Sequence, residues 1–168
     1  MSEAVRQLSE WMKLREDEHL EFKRASGSFS FEKLVKYCVA LANEEGGRMI
    51  LGVTNRRPRK VVGTRAFRQI ERTKAGLIER LRLRIEAEEI SHPKGRVLVF
   101  RVPSRPRGVP IQYRGAYWMR AGEDLVPMTT DQLARIIEEA TPDFSAETCP
   151  RSTLANLDRA AIQRLREM

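Results

Sequence analysis

Apolar positions along this chain change period from segment to segment, and the changes mark its elements. Val5, Leu8, Trp11 and Met12 fall three and four residues apart and predict an amphipathic helix over about Glu3 to Leu14. His19 to Arg24 reads as a short strand. After the small, polar stretch Ala25 to Ser30, the residues Leu34, Val35, Cys38, Val39, Leu41 and Ala42 form the apolar stripe of a second helix, with Ser30 as its amino-terminal cap. Asn43-Glu44-Glu45-Gly46-Gly47 ends that helix, because glycine accepts the positive backbone dihedral of a helix stop. Met49 to Val53 is an apolar run suited to a buried strand, and Val61-Val62-Gly63 reads as its partner beyond an arginine-rich turn.

Phe67 to about Leu83 has a helical pattern. Arg84 to Ile90 and Arg96 to Val102 read as strands joined by the turn Ser91 to Gly95. A proline-rich loop with Pro103, Pro106 and Pro110 leads to a strand at Tyr117 to Arg120. Thr129 and Gln132 then form a capping box for a helix through about Ala140. Thr141 to Thr153 has linker composition, and Leu154 to Leu165 predicts one short helix near the end. The expected fold is α+β: a mixed β-sheet packed with helices in one domain over residues 1–140, with a linker and short helix over 141–168 leading towards a further domain. No repeat at a fixed period is present.

Composition narrows the class. With 41% hydrophobic and 32% charged residues the chain is globular in character, and no run approaches the roughly 18 apolar residues of a membrane helix, so no membrane partner is expected. The amino terminus carries acids and lacks a secretory signal pattern, which makes the cytoplasm the expected location. Cys38 and Cys149 form no disulfide framework, and neither they nor His19 and His92 have companions at metal-ligand spacing. Cys38 reads as a core thiol.

The net charge of +8 is unevenly placed: Leu51 to Arg120 holds 18 lysines and arginines against five acids, while the remainder of the chain is net acidic. Such asymmetry, with arginine dominant, suits bidentate contact with phosphate on an anionic partner. Lys23, Arg56, Arg57, Arg59, Lys60, Arg105, Arg107 and Arg120 are the candidate contacts, with nucleic acid, RNA or DNA, as the expected partner. The alternative is a DNA-binding or oligomerisation module of a transcriptional regulator without catalysis, the basic face of an interaction or oligomerisation domain meeting an acidic partner. A homo-oligomer is compatible with either.

Four motifs stand in a fixed order: Glu16-Asp17-Glu18-His19-Leu20-Glu21-Phe22-Lys23, Ala40 to Gly47, Ile50-Leu51-Gly52-Val53, and Gly115-Ala116-Tyr117-Trp118-Met119-Arg120-Ala121-Gly122. Together with the helix after Thr130 they resemble the Schlafen-type AlbA domain, also called divergent AAA-4, over roughly Leu14 to Ala140. ATP is not expected, because no spaced glycines lead into a lysine and a hydroxyl residue at a helix start. Each motif also has a structural reading: Gly46 and Gly47 stop a helix, Asn43 caps it, and Gly52 permits close packing.

The resemblance implies a nucleic-acid-binding domain and, in the nucleases of the family, metal-dependent endoribonuclease activity on structured RNA such as transfer RNA. Glu16 and Glu21 match the two glutamates that would hold Mg2+ or Mn2+. The third acid of that pattern is missing, since Gly52-Val53 is followed by Thr54 and Asn55, and Asn55 offers only a neutral carbonyl oxygen. Five residues of separation place Glu16 and Glu21 on opposite faces of a single strand, so they converge only if Glu16 precedes the strand.

Overall fold

The computed structural model describes residues 2–140 and 163–164. Cys149, the linker and most of the helix expected at 154–165 lie outside the described residues. The elements in chain order are α1 (Glu3–Lys13), β1 (Leu20–Lys23), α2 (Phe31–Asn43), β2 (Gly47–Leu51), α3 (Ile70–Leu81), β3 (Glu86–His92), β4 (Gly95–Val102), β5 (Trp118–Ala121), β6 (Asp124–Pro127) and α4 (Thr130–Glu138). The main sheet has the order β1-β2-β4-β3, with β1 and β2 parallel and the other pairs antiparallel. A separate hairpin joins β5 to β6. The fold is therefore the expected α+β arrangement with a mixed sheet.

Period-two alternation distributes the sheet's side chains between two apolar layers. Phe22, Ile50, Val97 and Val99 face α1 and pack with Val5, Leu8 and Trp11. Met49, Leu51, Leu98 and Phe100 face the other way, against Leu34, Val35, Cys38 and Leu41 of α2 and Leu77 of α3. Cys38 is fully buried in this second layer, as its place in the stripe predicts, and burial pushes its thiol far up from the ordinary range. The Trp11 ring lies under the guanidinium groups of Arg48 at 5.1 Å and Arg101 at 5.8 Å, which fixes α1 across β2 and β4.

The turn between α2 and β2 explains its glycines. Gly46 has φ +96°, and its amide donates to the Leu41 carbonyl at 2.7 Å to close the helix. Gly47 is needed for space, since a Cβ there would collide with the His19 main chain at the start of the parallel pair. Gly52 permits close packing of main chain on main chain: the Arg96 carbonyl and the Gly63–Thr64 peptide crowd it. Asn43 is not the cap the sequence suggested: it is the last residue of α2, and Glu44 caps the helix, its amide donating to the Ala40 and Leu41 carbonyls. Asn43 is buried, its Nδ2 donates to the carbonyls of Ile111 at 2.9 Å and Trp118 at 2.8 Å, and its Oδ1 accepts from the Ile111 amide. One α2 side chain thereby ties down both the proline-rich loop and β5.

Several boundaries differ from the sequence expectation for local reasons. Helix α3 stops at Leu81 because Arg82 adopts the left-handed conformation, so β3 starts at Glu86 rather than Arg84. The β3–β4 turn is tighter than expected, leaving only Pro93 and Lys94 between the strands. Val61 to Gly63 makes a single bridge, Val53 to Val61, instead of a strand, because Thr64 turns to donate to the Arg96 carbonyl. No helix among the described residues is long and apolar enough to cross a membrane.

Candidate nucleic-acid interface and the acidic pair

Glu21 lies on the side of β1 opposite Phe22, and only 1% of it is exposed. Its carboxylate forms ion pairs with Lys23 and with Arg120 of β5, itself 1% exposed. Arg120 also reaches the Asp17 carbonyl at 3.3 Å, and its guanidinium lies 5.6 Å from the Tyr37 ring centre. Lys23 sits over the same ring at 5.0 Å. Burial would lower the Lys23 ammonium, but bonding to Glu21 and Tyr37 more than reverses this and raises it. The group is an interior charge cluster joining β1, α2 and β5. Arg120 is therefore removed from the surface where the sequence placed it, because its charge is drawn inward by an acid of β1 with which it has no local sequence link.

Glu16 precedes β1 in the connection from α1, which is the geometry the five-residue spacing required. Its Oε1 accepts the Phe22 amide proton at 2.7 Å. Burial pushes the Glu16 carboxyl above the ordinary glutamate range, against the pull of that amide, and the neighbouring charges of Glu21 and Glu123 push it further. Glu16 shares an open cleft of about 650 Å³ with Asn55, Glu123 and the arginines Arg15, Arg56, Arg57 and Arg59. Glu123 comes from the β5–β6 turn, far along the chain, and carries no motif that marks it.

The cations divide by what they touch. Arg59 is half-buried: Nη1 donates to the carbonyls of Met12 at 3.0 Å and Leu14 at 2.5 Å, and the guanidinium lies 4.1 Å from the Phe22 ring centre. Arg57 donates to the Lys13 carbonyl at 2.5 Å. Both satisfy carbonyls at the end of α1, which a helix leaves without internal partners. Thr54 Oγ1 accepts from the Lys60 amide at 2.8 Å and closes the loop. Arg56, Arg57 and Lys60 are exposed. Arg105, by contrast, is 8% exposed and makes a bidentate pair with Glu139 just after α4, at 2.7 and 2.6 Å. It is a fastening of the proline-rich loop rather than a surface contact. Arg107 remains exposed on that loop.

A family model described as Schlafen, AlbA_2 matches residues 16–129, from Glu16 of the cleft to the cap of α4. The chain belongs to the Schlafen AlbA_2 family. No curated protein matches it. Among solved structures, the DIP2311 protein from Corynebacterium diphtheriae is similar with a TM-score of 0.61 and 17% identity over 97% of this chain. The chain spans only 37% of the length of that protein, so the likeness is one of fold. The N-terminal domain of a RecG-related protein from Nitrosomonas europaea is a second similar structure, with a TM-score of 0.45 and 21% identity, covering 74% of this chain and 92% of that one.

For this Schlafen AlbA_2 chain the divalent ion implied by the nucleases of the family is a poor fit. Glu21 already holds two cations, Glu16 gives one oxygen to a main-chain amide, and the third position is neutral Asn55. A hard cation seeks several free anionic oxygens, and no group of three or more His, Cys, Asp or Glu side chains among the described residues is arranged to hold one. What the cleft does offer is four arginines with two acids, half-buried Glu16 and exposed Glu123.

Proposed function

We propose that the domain binds nucleic acid through the Arg56–Lys60 loop, without needing metal-dependent cleavage for that role. The observation that carries this reading is the fastening of the loop. Arg57 and Arg59 spend their hydrogen bonds on main-chain carbonyls at the end of α1 instead of on carboxylates, so the loop is held in shape, and the four arginines of the cleft outnumber its two acids, Glu16 and Glu123. Arg56, Arg57 and Lys60 are exposed on a loop whose main chain Thr54 holds in shape, with Arg15 and Asn55 beside it in the cleft. A loop already held in shape loses little main-chain freedom on meeting phosphate, which favours binding. Family membership supports the same reading.

Incubating the chain with transfer RNA and with duplex DNA, each with manganese or with chelator, separates binding from cleavage on one gel. A mobility shift that is the same with manganese and with chelator, leaving intact nucleic acid, is the expected result. Manganese-dependent cleavage lost in Glu16→Gln would overturn the non-catalytic part. Absence of any shift would overturn the whole reading.

A further inference from the structure

Arg57 and Arg59 also wall a second hollow, of about 740 Å³, between the end of α1, the loop and the β3–β4 turn. Its floor is apolar, with Met12, Pro58 and Val61, and every ionisable side chain lining it is basic, Lys60 and Lys94 among them. Phosphate alone explains the cations but leaves the floor without a purpose. A paired duplex presents sugar and phosphate to such a surface and keeps its bases stacked inside, whereas an unpaired nucleotide brings a flat, largely apolar ring together with its phosphate. The volume lies within the roughly 300–1,000 Å³ of pockets that take small molecules. Arg59 contributes a fixed plane, since Phe22 on one side and two carbonyls at its edge hold the guanidinium in place, and planar guanidinium groups stack bases as aromatic rings do.

We propose that this hollow receives one unpaired nucleotide, its base on Met12, Pro58 and the Arg59 plane and its phosphate on Lys60 and Lys94. The proposal rests on the nucleic-acid reading above and narrows it to strands with unpaired residues. The nucleotide can come from a bound strand or from a free mononucleotide, and the two sources are separable.

The test uses the full chain with methyl-labelled methionine and valine, titrated with a short single-stranded RNA, with a blunt duplex of the same sequence, and with adenosine monophosphate. Affinity for single strand over duplex is expected to be about tenfold, the scale of one stacked base. The Met12 and Val61 methyl signals should move with the single strand and stay in place with the duplex. Movement with the monophosphate as well would assign the hollow to nucleotides of either source, and movement with the strand alone would assign it to strand-borne residues. Met12→Ala and the exposed Lys94→Glu should each reduce the ratio of single-strand to duplex affinity. Saturation by single strand with both methyl signals unmoved, or an unchanged ratio in both variants, would overturn the proposal while leaving nucleic-acid binding intact. No binding to any RNA would instead overturn the reading on which it rests.

Discussion

Glu21 and Arg120 are each other's compensation, and that decides how a substitution at Glu21 should be interpreted. Glu21→Gln leaves the Arg120 guanidinium buried beside a neutral amide, and breaking a buried pair by removing one partner costs about 3–5 kcal/mol. Urea denaturation should show a loss of that order, and Glu21→Leu combined with Arg120→Met should recover most of it. A Glu21→Gln protein as stable as the parent would contradict the charge-cluster assignment. Asn43 makes a parallel case. Replacing it with alanine strips partners from the Ile111 and Trp118 carbonyls and the Ile111 amide, at about 1–3 kcal/mol for each group that stays dry. The expected signature is a lower unfolding midpoint, with early exposure of Trp118 detected by its fluorescence. The sequence showed Asn43 only as a cap and Arg120 only as a strand cation, because the partners that define both residues lie 68 to 103 positions away.

At the scale of elements, local signals were enough where the element is stabilised locally. The Ser30 cap and the Thr129–Gln132 capping box are both present and set the starts of α2 and α4. Strand β6 was not legible: Asp124-Leu125-Val126-Pro127 has two apolar residues and becomes a strand only through pairing with β5. The seat of α4 is likewise a distant matter, for it depends on the Arg105–Glu139 pair. Bonding to Arg105 lowers the Glu139 carboxyl below the ordinary glutamate range. A depressed carboxylate contributes stability above its unfolded value and loses it as pH falls through the folded one. Protection factors for amides in α4 and the Pro106–Gly108 loop, corrected for the intrinsic rate at each pH, should therefore fall once the pH is below the ordinary glutamate range, while α2 stays protected. Glu139→Gln should show the lower protection already at neutral pH, and an α4 equally protected in that variant would count against the fastening role of Arg105.

Over the whole molecule, the concentration of basic residues in the middle of the sequence was legible from charge counting, but its division into two kinds was not. Folding turns Arg105 and Arg120 inward to acids, and Arg96 and Arg101 to Glu89 and Glu88 on the neighbouring strand. Among the cations that stay exposed, Arg56, Arg57 and Lys60 are the ones beside the Glu16 cleft and the apolar-floored hollow, while others such as Arg65, Arg68 and Arg72 lie away from both. The motifs around Glu16 and Gly52 put Glu16 and Asn55 in one candidate site, and the two do line one cleft, yet the motifs gave no hint of Glu123 or of the ion pairs that occupy Glu21. The central claim is that the Arg56–Lys60 loop, and not the total charge, meets nucleic acid. Its most direct test is the slope of log affinity against log salt for a duplex and a single strand, measured for the parent and for the combined Arg56→Ala, Arg57→Ala and Lys60→Ala variant, with Arg65→Ala, Arg68→Ala and Arg72→Ala as a charge-matched control elsewhere. The slope should flatten by about one unit for each lost contact in the loop variant and stay near the parent's in the control. Equal flattening in both variants, or none in the loop variant, would contradict the account.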